Sequence, residues 1–387
     1  MQDAQLRKPP VPYWRLSSFY FFYFAILGVL APYWPLYFQW LGFGPEQIGW
    51  LLGTVTACKV VAPNLWAWLA DRSGKRLLVM RLGCLLASLF FAGHFLELGF
   101  FPLMAILFAY SFFWNAILPQ QEAITLSFLG GQPERYSLIR LWGSVGFIVL
   151  VLLAGALLGD ENIVYLPAIT MALLLLTMAS SLVIPSSEKP RTKTVSKGFW
   201  PLVLKKSPVA FLLGGLLMQL GHGAYYGFFS IHLQGLNYSE FTIGWLWALG
   251  VIAEVLLFLL MHRLLPRFGV KGLLLVSLLL AAIRWLLIGH LADQMAWLLL
   301  SQVLHAFTFG VFHAAAVEGV RRLFGSEHQS KAQALYTAVS FGMGGAVGSI
   351  VAGQVWHLGA EFTFNLAALV SLLGLVVIAC WYRETRG

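Results

Sequence analysis

Charge is scarce in this chain. Asp, Glu, Lys and Arg make up 11% of the 387 residues, 59% are hydrophobic, and the mean hydropathy is +0.78. A water-soluble protein of this length needs a far larger polar skin, so a soluble multidomain architecture is excluded. Cysteine is nearly missing as well. Cys58, Cys84 and Cys380 all fall in apolar runs, which argues against a disulfide framework. There is no phosphate-cradling Gly loop ending in Lys-Ser/Thr, no Cys or His pair at metal-ligand spacing and no nucleophile elbow. An enzyme, a metal centre and a bound cofactor are therefore not expected, and any pumping would draw on an ion gradient rather than ATP. A cleavable signal is also missing, because the first apolar run is too long and lacks a small-residue cleavage site.

The formal charge of +9 would suggest nucleic acid in a soluble protein, but its distribution excludes that partner. Basic residues cluster at Arg7, Lys8 and Arg15, at Arg72, Lys75 and Arg76, at Arg135, between Lys189 and Lys206, at Arg263, Arg267 and Lys271, at Arg321, Arg322 and Lys331, and at Arg383 and Arg386. The alternate loops, around Gly44, Glu97, Asp160, Glu240, Asp293 and Glu361, carry no Lys or Arg. Such one-sided charge is the positive-inside pattern of a multi-pass protein of the bacterial inner membrane with both termini cytoplasmic.

A helix needs about twenty apolar residues to cross a bilayer core. Twelve runs qualify, at about 14–38, 47–69, 77–96, 99–118, 137–158, 163–184, 208–234, 243–265, 271–291, 295–316, 335–356 and 362–382. The chain also repeats itself. Ile48-Gly49-Trp50-Leu51 returns as Ile243-Gly244-Trp245-Leu246, and at the same offset Lys59 corresponds to Glu254 and Arg72 to Arg267. The expected fold is thus all-α and integral to the membrane, with twelve transmembrane helices in two pseudo-symmetric six-helix halves. The N-terminal half covers 1–184 and the C-terminal half 208–387, joined by a polar, basic cytoplasmic linker at 185–207. A lipid bilayer is the one macroscopic partner this requires, and a monomer suffices.

The loop Asp71-Arg72-x-Gly74-Lys75-Arg76, preceded by Ala67, resembles the signature loop of the major facilitator superfamily, although that signature normally opens with Gly. The resemblance implies a conformational loop docking on a neighbouring helix end, echoed by Arg267-Phe268-Gly269.

Few ionisable residues lie inside the runs: Lys59, Glu122, Arg140, Glu254, Arg284, His305 and His313, with Arg81 and Glu318 near the ends. A charge in hydrocarbon costs roughly 2.5–3.5 kcal/mol or more, so each needs a partner, a water-filled cavity or an escape to the interface. Glu254 and Arg284 sit mid-span on helices of one half and could pair. The alternative is that they line a substrate or proton path. Glu318 has Arg321 and Arg322 at helical spacing, which predicts a local ion pair. Tyr225 and Tyr226 lie in the most polar part of the seventh run, where they could bond a ligand or simply pack.

Pro119-Gln120-Gln121-Glu122-Ala123 and Arg140-Leu141-Trp142-Gly143-Ser144 resemble the fourth- and fifth-helix motifs of the lactose permease-type proton symporters, whose Glu and Arg bind sugar. Leu304-His305-Ala306-Phe307-Thr308 resembles the segment that holds their proton-coupling His, but Thr308 stands where those proteins have Glu. Over most of the chain, Arg140 to Val145, Gly223 to Phe228, Leu246 to Val255, Ile283-Arg284-Trp285, Leu304-His305 and Gln333 to Tyr336 together resemble the bacterial 3-phenylpropionate transporter family. The resemblance implies a proton-coupled symporter working by alternating access, its cargo a small organic acid and favourably an aromatic one. Arg140 or Arg284 would hold the carboxylate, Trp142, Tyr226 and Trp247 would cover the ring, and Glu254 or His305 would exchange the proton. Sugar or nucleoside symport through Glu122 and Arg140 is the competing reading. Amphiphile efflux and a non-transporting receptor follow.

Overall fold

The computed structural model describes residues 11–96, 98–130, 134–159, 162–186 and 198–384. Arg7, Lys8, Glu97, Asp160, Arg386 and most of the expected linker lie outside the described residues. No strand occurs among those described. Ten helices are long and apolar enough to cross a bilayer. One of these, Met295–Leu358, breaks at Gly325 (φ 66°) into two, and Lys206–Gly235, with 30 residues, makes the twelfth. We number them α1 Tyr13–Trp40, α2 Pro45–Ser73, α3 Arg76–Phe91, α4 Phe100–Leu129, α5 Glu134–Leu157, α6 Leu166–Leu182, α7 Lys206–Gly235, α8 Glu240–Phe258, α9 Met261–Leu291, α10 at 295–324, α11 at 326–355 and α12 Ala360–Trp381.

Three boundaries differ from expectation. The fourth helix runs eleven residues past 118, carrying Pro119 within it and ending at Gly130 (φ 56°). The polar run that looked like its end is buried and bonded: Gln120 accepts from Arg76 Nη1 (3.2 Å) and Gln121 donates to Thr125 (3.4 Å). The eighth helix stops at Phe258, not 265. Residues 261–268, with Arg263, Pro266 and Arg267, form a separate helical stretch that Gly269 (φ 66°) divides from the apolar part of α9. The stretch between the tenth and eleventh runs, expected as a loop, is helical except at Gly325.

The halves repeat in contact as well as in sequence. In the first six helices α1 packs on α5 and α6, and α4 on α2 and α3. In the last six α7 packs on α11 and α12, and α10 on α8 and α9. The halves meet through α2 against α11 and α5 against α8. The repeated Ile-Gly-Trp-Leu motif makes these seams. Ile48, Leu51, Ile243 and Leu246 are buried, while Trp50 and Trp245 point outward as interface anchors do. Each glycine admits the opposite half. A Cβ on Gly49 would overlap the backbone of Ser349 and Gly353, and one on Gly244 would overlap Val151 and the Tyr33 hydroxyl. The Tyr33 hydroxyl lies within hydrogen-bonding distance of Val151 O in its own half (3.0 Å) and of Glu240 O across the seam (3.2 Å). All these approaches lie in the part of the helices away from the basic loops. On the basic side, Glu122 and Arg140 of the first half and Glu254 and His313 of the second keep partial exposure.

The basic end is tied together by ion pairs and caps. Gly74 (φ 69°) closes α2, Arg72 lies over the Trp68 ring (5.4 Å) and Lys75 is exposed. Arg76 bridges Asp71 and Gln120. In the second half Pro266 stands where Asp71 stands in the first, and a carboxylate from the chain's far end takes over. Glu384 accepts from Val270 N (2.9 Å), Lys271 N (3.3 Å) and Arg322 Nη1 (2.8 Å), and Arg322 also holds Glu318 (2.7 Å). Arg81 and Arg15 bond the last carbonyls of α6, from Ser181 to Ile184, which compensates the negative end of that helix.

Candidate functional site

The intramembrane polar residues gather into two centres. The first is partly exposed and lies on the basic side, with residues from both halves. Arg140, on α5, reaches over the Phe24 ring of α1 (3.8 Å) and lies 5.8 Å from the Tyr20 ring. Gly143, one turn on, leaves room for its guanidinium, since a Cβ there would crowd Nη1. Arg140 is the cation whose charge reaches Glu122 of α4, Glu254 of α8 and His313 of α10. Glu122 also accepts from the Tyr136 hydroxyl (3.2 Å). Glu254 packs on Gly310, where any side chain would press on its Cγ. Gly310 belongs to Ala306–Val311, a π-helical stretch that adds a residue to the turn between His305 and His313, and such bulges are frequent at functional positions.

The second centre is fully buried. Arg284 has no exposed surface. Its Nε donates to Ser301 O (2.8 Å) and its Nη1 to Thr308 (3.3 Å), while its guanidinium lies over Tyr225 (4.1 Å) and Trp285 (4.8 Å). Tyr225 donates to Gln302 (2.9 Å). His305 stacks between Tyr225 (5.7 Å) and Phe309 (5.5 Å), and its Nδ1 has no partner. Arg284 Nη2 is likewise unpartnered. Trp247 closes the cluster against Tyr225 and Tyr226, with its indole N–H bonded to Ser230 (3.1 Å).

Several expectations are corrected. Glu254 and Arg284 do not pair. Arg284 is held within its own half by a carbonyl, a hydroxyl and two ring faces, whereas Glu254 lies on α8, which borders α5 across the seam, and the charge acting on it is that of Arg140. Trp142 is not with Arg140, because two residues along a helix turn a side chain by about 200°. Its N–H donates to Tyr13 (3.0 Å) and its ring meets Trp14 (5.5 Å), away from Arg140. Trp247 is only 4% exposed and supports Tyr225 and Tyr226 from behind. Tyr226, by contrast, is partly exposed and lies between the two centres, in the field of both Glu254 and Arg284. Thr308, standing in the carboxylate position, accepts from Arg284.

The sequence reading passed over Tyr136, Phe24 and the role of His313. His313 was legible. Together with Phe309 it continues a ladder at i, i+4 and i+8 from His305, stacked at 5.5 and 6.3 Å. Among the described residues no group of His, Cys, Asp and Glu could hold a metal.

The sites sit in a scaffold with clear relatives. Residues 13–366 match the model of the MFS_1 like family. The chain is 31% identical over 365 residues to the "Probable 3-phenylpropionic acid transporter" of Escherichia coli (strain K12), covering 92% of this chain and 94% of that one. It is 28% identical to the maltose permease of Geobacillus stearothermophilus over 93% of each chain. Among solved structures, the nucleoside transporter NupG superposes with a TM-score of 0.83 over 95% of this chain and 98% of that one, at 18% identity, a likeness of fold alone. The protein is a multi-pass membrane transporter, not an enzyme, and it belongs to the MFS_1 like family of the major facilitator superfamily.

Proposed function

We propose that the protein takes up a small organic acid together with a proton, working as a monomer in the bacterial inner membrane with both termini cytoplasmic. The observation that carries the reading is Arg140, partly exposed, with its charge acting on Glu122 of its own half and Glu254 of the other. Arg presents a planar fork of donors that matches a carboxylate. While Glu254 is ionised it competes for that fork. Once Glu254 takes up a proton, the fork is free for the cargo's carboxylate, so proton and acid bind together or not at all. Tyr226, Phe24 and Phe309 would flank an aromatic tail. Release of both on the far side returns Glu254 to Arg140. That pairing joins α5 to α8 across the seam, so its making and breaking is felt by both halves as they rock. The positive-inside pattern makes the basic end cytoplasmic, and the partial exposure on that side corresponds to an inward-facing state.

The test is Glu254→Gln, which imitates the protonated carboxyl permanently. Uphill, proton-driven accumulation should be lost, while exchange of acid across preloaded vesicles persists. Accumulation at the wild-type level would remove Glu254 from coupling. A second reading, sugar symport through Glu122 and Arg140, draws on the exposure of Glu122 beside Tyr136 and on the maltose permease among the relatives. Melting-temperature shifts with a panel of acids and sugars on purified protein would decide between the two cargo classes.

A further inference from the structure

Lys59 has no role in the scheme above. It lies midway along α2, half-exposed, and among the described residues it has no ion-pair partner and no charged group acting on it. Unlike Arg284, Lys59 has no carbonyl, hydroxyl or ring face holding it among the described contacts, so a polar cavity is the remaining way to keep an ammonium at that depth. The face it occupies shows where that cavity is. Val61, Leu65 and Trp68 are 59, 44 and 54% exposed and form the outward stripe of α2. Lys59 is about 200° round the helix from Val61. Cys58 and Trp66 fix a second face by donating to the α4 carbonyls of Phe108 (3.5 Å) and Phe112 (3.0 Å). Val60 and Thr56 fix a third against Gly342 and Gly345 of α11. Lys59 emerges between the α4 face and the α11 face, into the space between the halves.

The internal repeat supports the same placement. At the common offset Val61 corresponds to Leu256 and Leu65 to Leu260, which are 59 and 44% exposed. With the outward stripes matched, Lys59 occupies on α2 the place that Glu254 occupies on α8. Both positions lie near a π-helical bulge, though of different neighbours: Glu254 meets Gly310 on α10 of its own half, and Val60, next to Lys59, meets Gly342 within Ala338–Gly344 on α11 of the other half. Arg140 has two carboxylates within its field; Lys59 has none.

We propose that Lys59 is a second recognition point of the same site, selecting acids whose far end carries another anionic group. The inference rests on the reading of Arg140 as the carboxylate anchor. Lys59 lies outside the field of the charges around Arg140, so the two anionic groups of a preferred cargo are separated by its body rather than adjacent.

The test compares 3-phenylpropionate with 3-(4-carboxyphenyl)propionate, which adds a carboxylate at the far end of the ring, in displacement assays on the purified full-length protein. Wild type should favour the dicarboxylate by about tenfold to a hundredfold, the range of one charge-assisted hydrogen bond. Lys59→Met should erase that preference while leaving 3-phenylpropionate within about twofold, and Lys59→Arg should keep most of it. No preference in wild type, equal losses for both acids in Lys59→Met, or no change in either would overturn the proposal. Lys59→Gln serves if Lys59→Met does not fold. Arg140→Lys separates the two levels. If it binds both acids as wild type does, the acid reading fails, whatever Lys59 does.

Discussion

Arg284 and Arg140 were equivalent candidates for holding a carboxylate, and the structure predicts that the same conservative change will act on them in opposite ways. Arg284→Lys keeps the charge but leaves one donor group where two N–H bonds and two ring contacts stood. One lost charge-assisted bond is worth about 1.5–3 kcal/mol, and partial loss of the contacts to Tyr225 and Trp285 adds about 0.5–1 kcal/mol. Arg284 has no surface exposed to solvent, so bulk water does not compensate the lost donors. A loss of roughly 2–4 kcal/mol corresponds to a fall in melting temperature of about 4–16 °C, at the ~2–4 °C per kcal/mol typical of chains of 150–250 residues, and to the lower part of that range for a longer chain. Arg140→Lys loses mainly the Phe24 contact, so its melting temperature should move by no more than about 2 °C. Its cargo affinity should instead fall about tenfold to a hundredfold, as one arm of a bidentate pair is lost. Both quantities are readable on detergent-solubilised protein, from thermal unfolding of the apo form and from displacement of a labelled acid. If Arg284→Lys loses acid affinity at an unchanged melting temperature, the buried centre opens to cargo and its classification as scaffold is wrong.

Three other outcomes are expected. Trp142→Phe removes the bond to Tyr13 and should cost about 1 kcal/mol of stability without altering cargo affinity; an affinity change beyond about threefold would return Trp142 to the site. Gly310→Ala places a methyl against the Glu254 Cγ and should weaken proton-driven accumulation more than exchange, and equal loss of both would argue against Glu254 as the coupling group. Trypsin should cut the basic stretch between Lys189 and Lys206 only in inside-out vesicles, and cleavage in intact spheroplasts would reverse the proposed orientation.

The membrane made much of the fold legible. A bilayer requires continuous apolar helices and one-sided basic loops, and both are written in local composition. The missed boundaries are all places where tertiary partners override composition. Gln120 and Gln121 looked like a helix end, yet they are buried because Arg76 and Thr125 satisfy them. At 317–334 a polar stretch stays helical because it lies beyond the apolar core, where ion pairs such as Glu318 with Arg321 and Arg322 hold it. The site was legible as a set of residues but not as a set of pairs. Helical spacing says which face a charge occupies, not which of several neighbouring helices lies opposite. Arg284, the mid-span cation of the same half, was therefore the one partner considered for Glu254, whereas α8 borders α5 of the other half. The misplacement of Trp142 could have been avoided, since its angular distance from Arg140 follows from the sequence alone.

The seam also bears on how the halves move. Gly49 and Gly244 are equivalent in the repeat, and each lets backbone meet backbone across the two halves, on α11 and α5 respectively. Contacts of this kind depend on close approach and not on interlocked side chains, so they can separate without a rotamer change or a buried cavity being left behind. The polar bonds that accompany them are few, chiefly that of the Tyr33 hydroxyl with Glu240 O. Water can replace those bonds at little net cost once the end opens. The opposite end is built otherwise, from ion pairs confined to each half: Arg76 with Asp71 in the first, Arg322 with Glu318 and Glu384 in the second. Each half is thereby stiffened against itself while the seam between them stays separable. On the proposed mechanism, a pair of rigid bodies joined at a parting seam would convert a change in one cross-half attraction, that between Glu254 and Arg140, into a rotation of one half against the other.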